Sequence, residues 1–143
     1  MRFIFFVCVC VLVGLLPAGN HAHAQSGKDG ATALQKIITN QMKAFANGDY
    51  AKAFSFATRD LQRRFQTPDV FMEMVKQGYQ PVYQPKNVSF GALKETKGGP
   101  IQEVYVVGPK GHDWLALYSF EQQLDGSWRI SGCVLKKSPG LSA

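Results

Sequence analysis

The residues of this chain with the chemistry for catalysis are few and lie in its C-terminal third. Cys133 would be a nucleophile if a base stood beside it to lower its pKa. Beyond the first 24 residues the only histidine is His112, at the far end of the neighbouring strand from the place where Cys133 should pair. Cys133 therefore reads as a small buried hydrophobe, with contact to a symmetry mate, and even an intermolecular disulfide after export, as the third reading. His112 and Asp113 have the types of a general base and its orienting carboxylate. Adjacent strand residues point to opposite faces, however, so the pair reads as the polar end of the "GPKG" loop. No carboxylate pair stands at ligand spacing, and a single histidine and cysteine offer no metal site. An isomerase would need an acid and an oxyanion donor in an apolar cavity. Tyr105 and Tyr118 are the weak candidates for the hydroxyl and Glu103 for the acid, and no residue is assigned a catalytic role.

Those residues must be positioned by one small domain. The chain has 143 residues, and residues 1–24 read as a signal peptide: Arg2, an apolar run from Phe3 to Leu16, then "PAGNHAHAQ" with cleavage after Ala24. Fourteen apolar residues ended by Pro17 fall short of the roughly 20 that span a bilayer, so no embedded segment is expected after cleavage. The product would be periplasmic or secreted. Residues 25–143 carry 15 basic and 10 acidic residues, net +5. The positive charges are scattered, and the densest cluster, Arg59, Arg63 and Arg64, has the helical spacing of a solvated face, with an anion site as the less favoured reading and an anionic envelope surface left open as a partner. Export and scattering together argue against nucleic acid as a partner. With one thiol left, no intramolecular disulfide supports the fold.

Residues 25–30, "QSGKDG", read as a flexible leader, residues 31–137 as the folded domain and residues 138–143 as a tail. Leu34, Ile37, Ile38, Met42 and Phe45 recur every three or four residues, the mark of a helix with one buried stripe. Asn47 and Gly48 stop it, Asp49 caps a short second helix, and Thr58 restarts the chain into "RDLQRRF". Thr67, Pro68 and Asp69 open a further helix that Gly78 closes, with Phe71, Met74 and Val75 inward. That methionine and aromatic stripe reads as core, and no cofactor is expected. Pro81 and Pro85 then launch an extended connection.

From Val88 the period becomes that of strands: "NVSFGALKET", "IQEVYVV", "HDWLALYSFEQQ" and "WRISGCVLKK", separated by turn residues. Helices first and an antiparallel meander second make an α+β layout. The "NGDY" turn and the last hairpin's "DGSWRI", Asn47–Tyr50 and Asp125–Ile130, resemble the nuclear transport factor 2-like superfamily, and in particular its exported bacterial members with domains of unknown function. The resemblance implies three N-terminal helices packed on a curved four-stranded antiparallel sheet, a cone with a cavity between the layers. It specifies a scaffold and not a chemistry.

Loop lengths set which side chains share a face. A three-residue loop, Asp125–Ser127, would put Leu124 opposite Trp128, and the "GPKG" loop would put Tyr105 opposite Trp114. Tyr105, Trp114, Tyr118, Phe120, Trp128 and Ile130 then line one face. Val104, Val106, Leu115, Leu117, Cys133 and Leu135 line the other. The aromatic face is expected to cover the helices, with Tyr105, Trp114, Tyr118, Phe120 and Trp128 at a ligand cavity, and the aliphatic face to form a two-fold dimer. The function expected is a binding or interaction module holding a small apolar ligand in the cone; the alternative is an isomerase- or dehydratase-like enzyme using Tyr118, Tyr105 and Glu103.

Overall fold

The computed structural model describes residues 21–139. Residues 1–20, most of the expected signal peptide, and residues 140–143 of the expected tail lie outside the described residues. Among the described residues five helices, rather than three, precede the sheet: α1 (His21–Ala46), α2 (Tyr50–Ser55), α3 (Arg59–Phe65), α4 (Pro68–Gly78) and α5 (Gln80–Tyr83). Four strands follow, β1 (Asn87–Thr96), β2 (Gly99–Val107), β3 (Asp113–Gln122) and β4 (Trp128–Lys137), paired in the order β1-β2-β3-β4 as an antiparallel meander. The protein is thus an α+β fold.

The helix boundaries follow from capping chemistry. Side-chain oxygens of Asp49, Thr58 and Thr67 accept the backbone N–H groups of Lys52, Leu61 and Val70 and so satisfy donors that the first helical turn leaves free. Gly48 takes φ 67° after α1, the left-handed closure that its lack of a side chain allows. The stretch 25–30 lies within α1, with the Thr32 hydroxyl donating back to the Lys28 carbonyl at 2.9 Å. One expectation about these segments is corrected, that Pro81 ends the helical region. It stands in the first turn of α5, where its missing N–H leaves no bond unmade.

One stripe of α1 supplies the interface with the sheet: Leu34, Ile38 and Met42 bury against Val104, Val106, Ala116, Tyr118, Phe120 and Ile130. Burial of each large side chain there stabilises by about 1.5–3 kcal/mol. Phe45, farther along α1, belongs to a second cluster with Phe54, Phe71, Met72 and Val75, which ties α2 and α4 together. Rings carry that cluster: Phe71 meets Phe54 at 5.3 Å and Phe65 edge-on at 5.6 Å between centroids.

Backbone hydrogen bonds at Ile130 join the helical layer to the last strand. Ile130 of β4 donates its N–H to the Phe56 carbonyl at 2.8 Å, and its own carbonyl accepts the Thr58 N–H at 2.9 Å, a parallel bridge centred on Ala57. Just beyond it the register of β4 shifts, where Phe120 pairs with Ile130 but Ser119 with Gly132. A second irregularity lies in β1 between Phe90 and Leu93. Each inserts residues on one strand and bends it.

The registers revise the sheet faces. Val106, not Tyr105, stands opposite Trp114, because Gly108–His112 form the whole turn, closed by the Gly108 N–H on the His112 carbonyl at 2.9 Å. That shift of one residue turns β2 over: Val104 and Val106 face the helices and Tyr105 faces away. The bulge at Ser131 does the same to the end of β4, so Cys133 pairs with Tyr118 and Leu135 with Ala116 on the inner side. In the last hairpin Gln122 stands opposite Trp128. Leu124 lies in the turn, fully exposed, where the Asp125 carboxylate accepts the Ser127 N–H and hydroxyl and lengthens the loop.

Candidate functional site

Between α1, α3, α4 and the inner ends of β3 and β4 lies a half-open pocket of about 420 Å³. Its walls are apolar: Phe45 from α1, Leu61 and Phe65 from α3, Phe71, Met74 and Val75 from α4, with Ile130 and Cys133 from β4. The volume falls within the range that small-molecule sites occupy. α3 explains why the pocket exists. None of its residues is fully buried, since Leu61 and Phe65 turn toward the space instead of filling it.

The polar groups on this lining are neutral donors with one exception. Tyr118 and Cys133 are directly opposed across β3 and β4, and each side chain lies in the other's electrostatic environment. Burial pushes the Cys133 thiol up to about 12. It raises Tyr118 far above the usual phenol range, with further help from the neighbouring thiol, and raises Tyr79 for the same two reasons. At neutral pH all three hold their protons. Ser131 donates to Ser119 across the same strands at 3.1 Å, and the buried Gln41 amide donates to the Ala53 carbonyl at 3.2 Å. The exception is Arg64 on α3, the one charged side chain on the lining.

Such an arrangement can hold an apolar body and offer it a few hydrogen bonds. It has no thiolate, since a thiol at about 12 is protonated at neutral pH. Among the described residues no group of three or more His, Cys, Asp or Glu side chains could hold a metal ion.

The residues singled out in the sequence are spread over three places. Of the five expected at a cavity, Tyr118 lines the pocket. Phe120 is wholly buried between sheet and helices, and Trp128 is 36% exposed at the sheet's end. Trp114 lines a separate shallow cleft with His112, Lys110 and Lys137, whose ammonium lies 5.9 Å from its ring centroid. Tyr105 stands on the outer face, as does Glu103, whose carboxylate meets Lys94 Nζ at 2.6 Å. That lysine holds the Glu103 carboxyl below the usual range. Tyr105 and Glu103 are therefore on the opposite side of the sheet from Tyr118, and the three form no common site. Of the six residues expected on an outer dimer face, Leu115 and Leu117 are there. Val104 and Val106 are buried core, and Cys133 and Leu135 pack on that core, because of the register shifts described above.

Tyr79, Gln41 and the Ser119–Ser131 pair were not indicated by the sequence, and Arg64 stood there only as a member of a basic cluster read first as a solvated face. The usable signal was α3 itself, a seven-residue helix whose two large apolar residues have no third partner to complete a buried stripe.

The fold and pocket define a small α+β domain built around an apolar recess. Residues 28–143 match the model of a family described as Domain of unknown function (DUF4864), and the chain belongs to that family. No curated protein and no solved structure matches the chain. Among the described residues, no helix is long and apolar enough to cross a membrane.

Proposed function

We propose that this protein is a small binding module whose recess receives an apolar ligand, on a scaffold of the nuclear transport factor 2-like kind acting outside the cytoplasm after loss of residues 1–24. The observation that carries the reading is the half-open apolar pocket ending on the neutral Tyr118–Cys133 pair. A folded chain normally collapses onto such a space, and holding it open leaves Leu61, Phe65 and Met74 half-exposed. The isomerase-like alternative has less support, since Tyr105 and Glu103 lie across the sheet from Tyr118 and Lys94 keeps Glu103 ionised. The test is a titration with decanol followed at the backbone amides of Gly132 and Cys133. The wild-type protein should bind, and Met74→Trp, which fills the recess, should lose binding by at least tenfold. Equal binding by both would remove the recess from the account.

A second reading concerns assembly. Leu115, Leu117, Tyr105 and Val134 share the outer face of the sheet, with Tyr105 38% and Val134 54% exposed. An apolar patch on an open sheet face, rimmed here by Glu103 and Lys136, suits a two-fold pairing with another copy. Sedimentation velocity should show a dimer that Leu117→Glu dissociates; a wild-type monomer at high concentration would end this reading.

A further inference from the structure

Resting on the binding reading above, we infer that the ligand is a single-chain amphiphile with an anionic head, its chain in the recess and its head on Arg64. Three observations converge on this. First, the lining carries one cation and no carboxylate: Arg64 is its only charged side chain, and every other polar group there is neutral. An uncompensated guanidinium beside an apolar wall favours an anion.

Second, Arg64 is the member of its cluster that reaches the recess, and no carboxylate neutralises it there. Arg63, the adjacent residue, is occupied by Asp60 on the same helix. Among the described residues Arg64 takes part in no ion pair. Successive residues of a helix point about a quarter-turn or more apart, and it is Arg64, not Arg63, that lies on the lining of the recess.

Third, the lining combines two kinds of surface. The helical wall of Phe45, Phe65, Phe71 and Met74 offers a chain only dispersion contacts and burial. Its charge lies on exposed α3, where a head group keeps part of its hydration. A neutral apolar molecule would leave Arg64 unused, and a small hydrophilic anion would leave the wall wet. An anionic amphiphile satisfies both.

The test compares decanoate, decyl phosphate, decanol and decyltrimethylammonium on the full folded protein, by amide-shift titration at Gly132 and Cys133 below micellar concentrations. Both anions should bind about tenfold more tightly than decanol, the size of effect a hydrogen bond to a charged group supplies, and the cation should bind worst. Whichever anion binds more tightly separates a free fatty acid from a phosphate-headed lipid, and either order above decanol supports the assignment. Arg64→Gln should erase the preference, so that both anions bind that variant no more tightly than decanol does; Arg64→Lys should keep most of it. If decanoate, decyl phosphate and decanol bind the wild type equally, the anionic head is wrong and the apolar recess stands. If none binds, both readings fall.

Discussion

The side-chain amide of Gln102, on β2, donates to the Gly91 carbonyl of β1 at 3.0 Å and to the Ala92 carbonyl at 3.3 Å. These two carbonyls lie in the irregular stretch of β1 where the ladder to β2 is interrupted between Phe90 and Leu93. A bulge leaves backbone acceptors unmatched, and Gln102, wholly buried, supplies the donors. Its Oε1 in turn accepts from Gln35 of α1 at 3.4 Å, so the plug is held from the helical side.

Gln102→Leu keeps the volume and removes the donors. Loss of a buried partner costs about 1–3 kcal/mol, and urea unfolding should show a decrease of that size with the denaturant slope unchanged. A decrease under about 0.5 kcal/mol would mean that the bulge does not depend on the amide.

Two glycines of the same sheet should respond differently to alanine. At Gly99, φ is +109° and an added Cβ would meet the Phe120 carbonyl oxygen at 2.5 Å, a backbone atom that cannot swing aside. Gly99→Ala should destabilise by about 3 kcal/mol or more. At Gly91 the nearest atom is Tyr105 Cε2 at 2.7 Å, the rim of a ring on the open face. Gly91→Ala should cost about 1 kcal/mol, and Tyr105→Ser in the same chain should recover most of it. Thermal unfolding of the three variants checks the order.

Alkaline pH should weaken the fold through Cys133. The folded thiol keeps its proton up to about 12, whereas the unfolded thiol loses its proton near 8.5. Between those values the unfolded chain binds fewer protons than the native one, so stability falls as pH rises, by up to about 1.4 kcal/mol per pH unit from this group. The contribution is fully present below the lower value and lost on approach to the upper one. Tyr118 and Tyr79, also raised, add to the loss at higher pH. Cys133→Ala should flatten the decline between about pH 9 and 11 relative to wild type; an unchanged slope would place the titration elsewhere.

How much of this was legible in the sequence depended on the range over which each signal acts. Thr67 with Pro68, Asp49 and Thr58 act within one turn, and their caps stand where the residue types put them. The meander of four strands was equally legible, because each strand is bounded by its own turn residues. Faces were not. Moving one residue of the Gly108–His112 turn exchanges Tyr105 for Val106, and neither loop composition nor alternation says which register the turn adopts. The bulge at Ser131 sends Cys133 to the side of Ile130 without any mark in "ISGC" that distinguishes it from a regular strand. The recess was beyond reach for a similar reason. Arg64 and Leu61 have the spacing of any exposed short helix, and only the tertiary placement of α3 beside β4 sets them around a space.

The bridge of Ile130 to Phe56 and Thr58 has a kinetic consequence. These bonds lie where the helical layer and β4 meet, so neither layer loosens there without the other. The slow-exchanging amide protons of Ile130 and Thr58 should therefore appear with a common opening free energy, close to that of global unfolding, while the free margin of β4 from Val134 to Lys137 exchanges early.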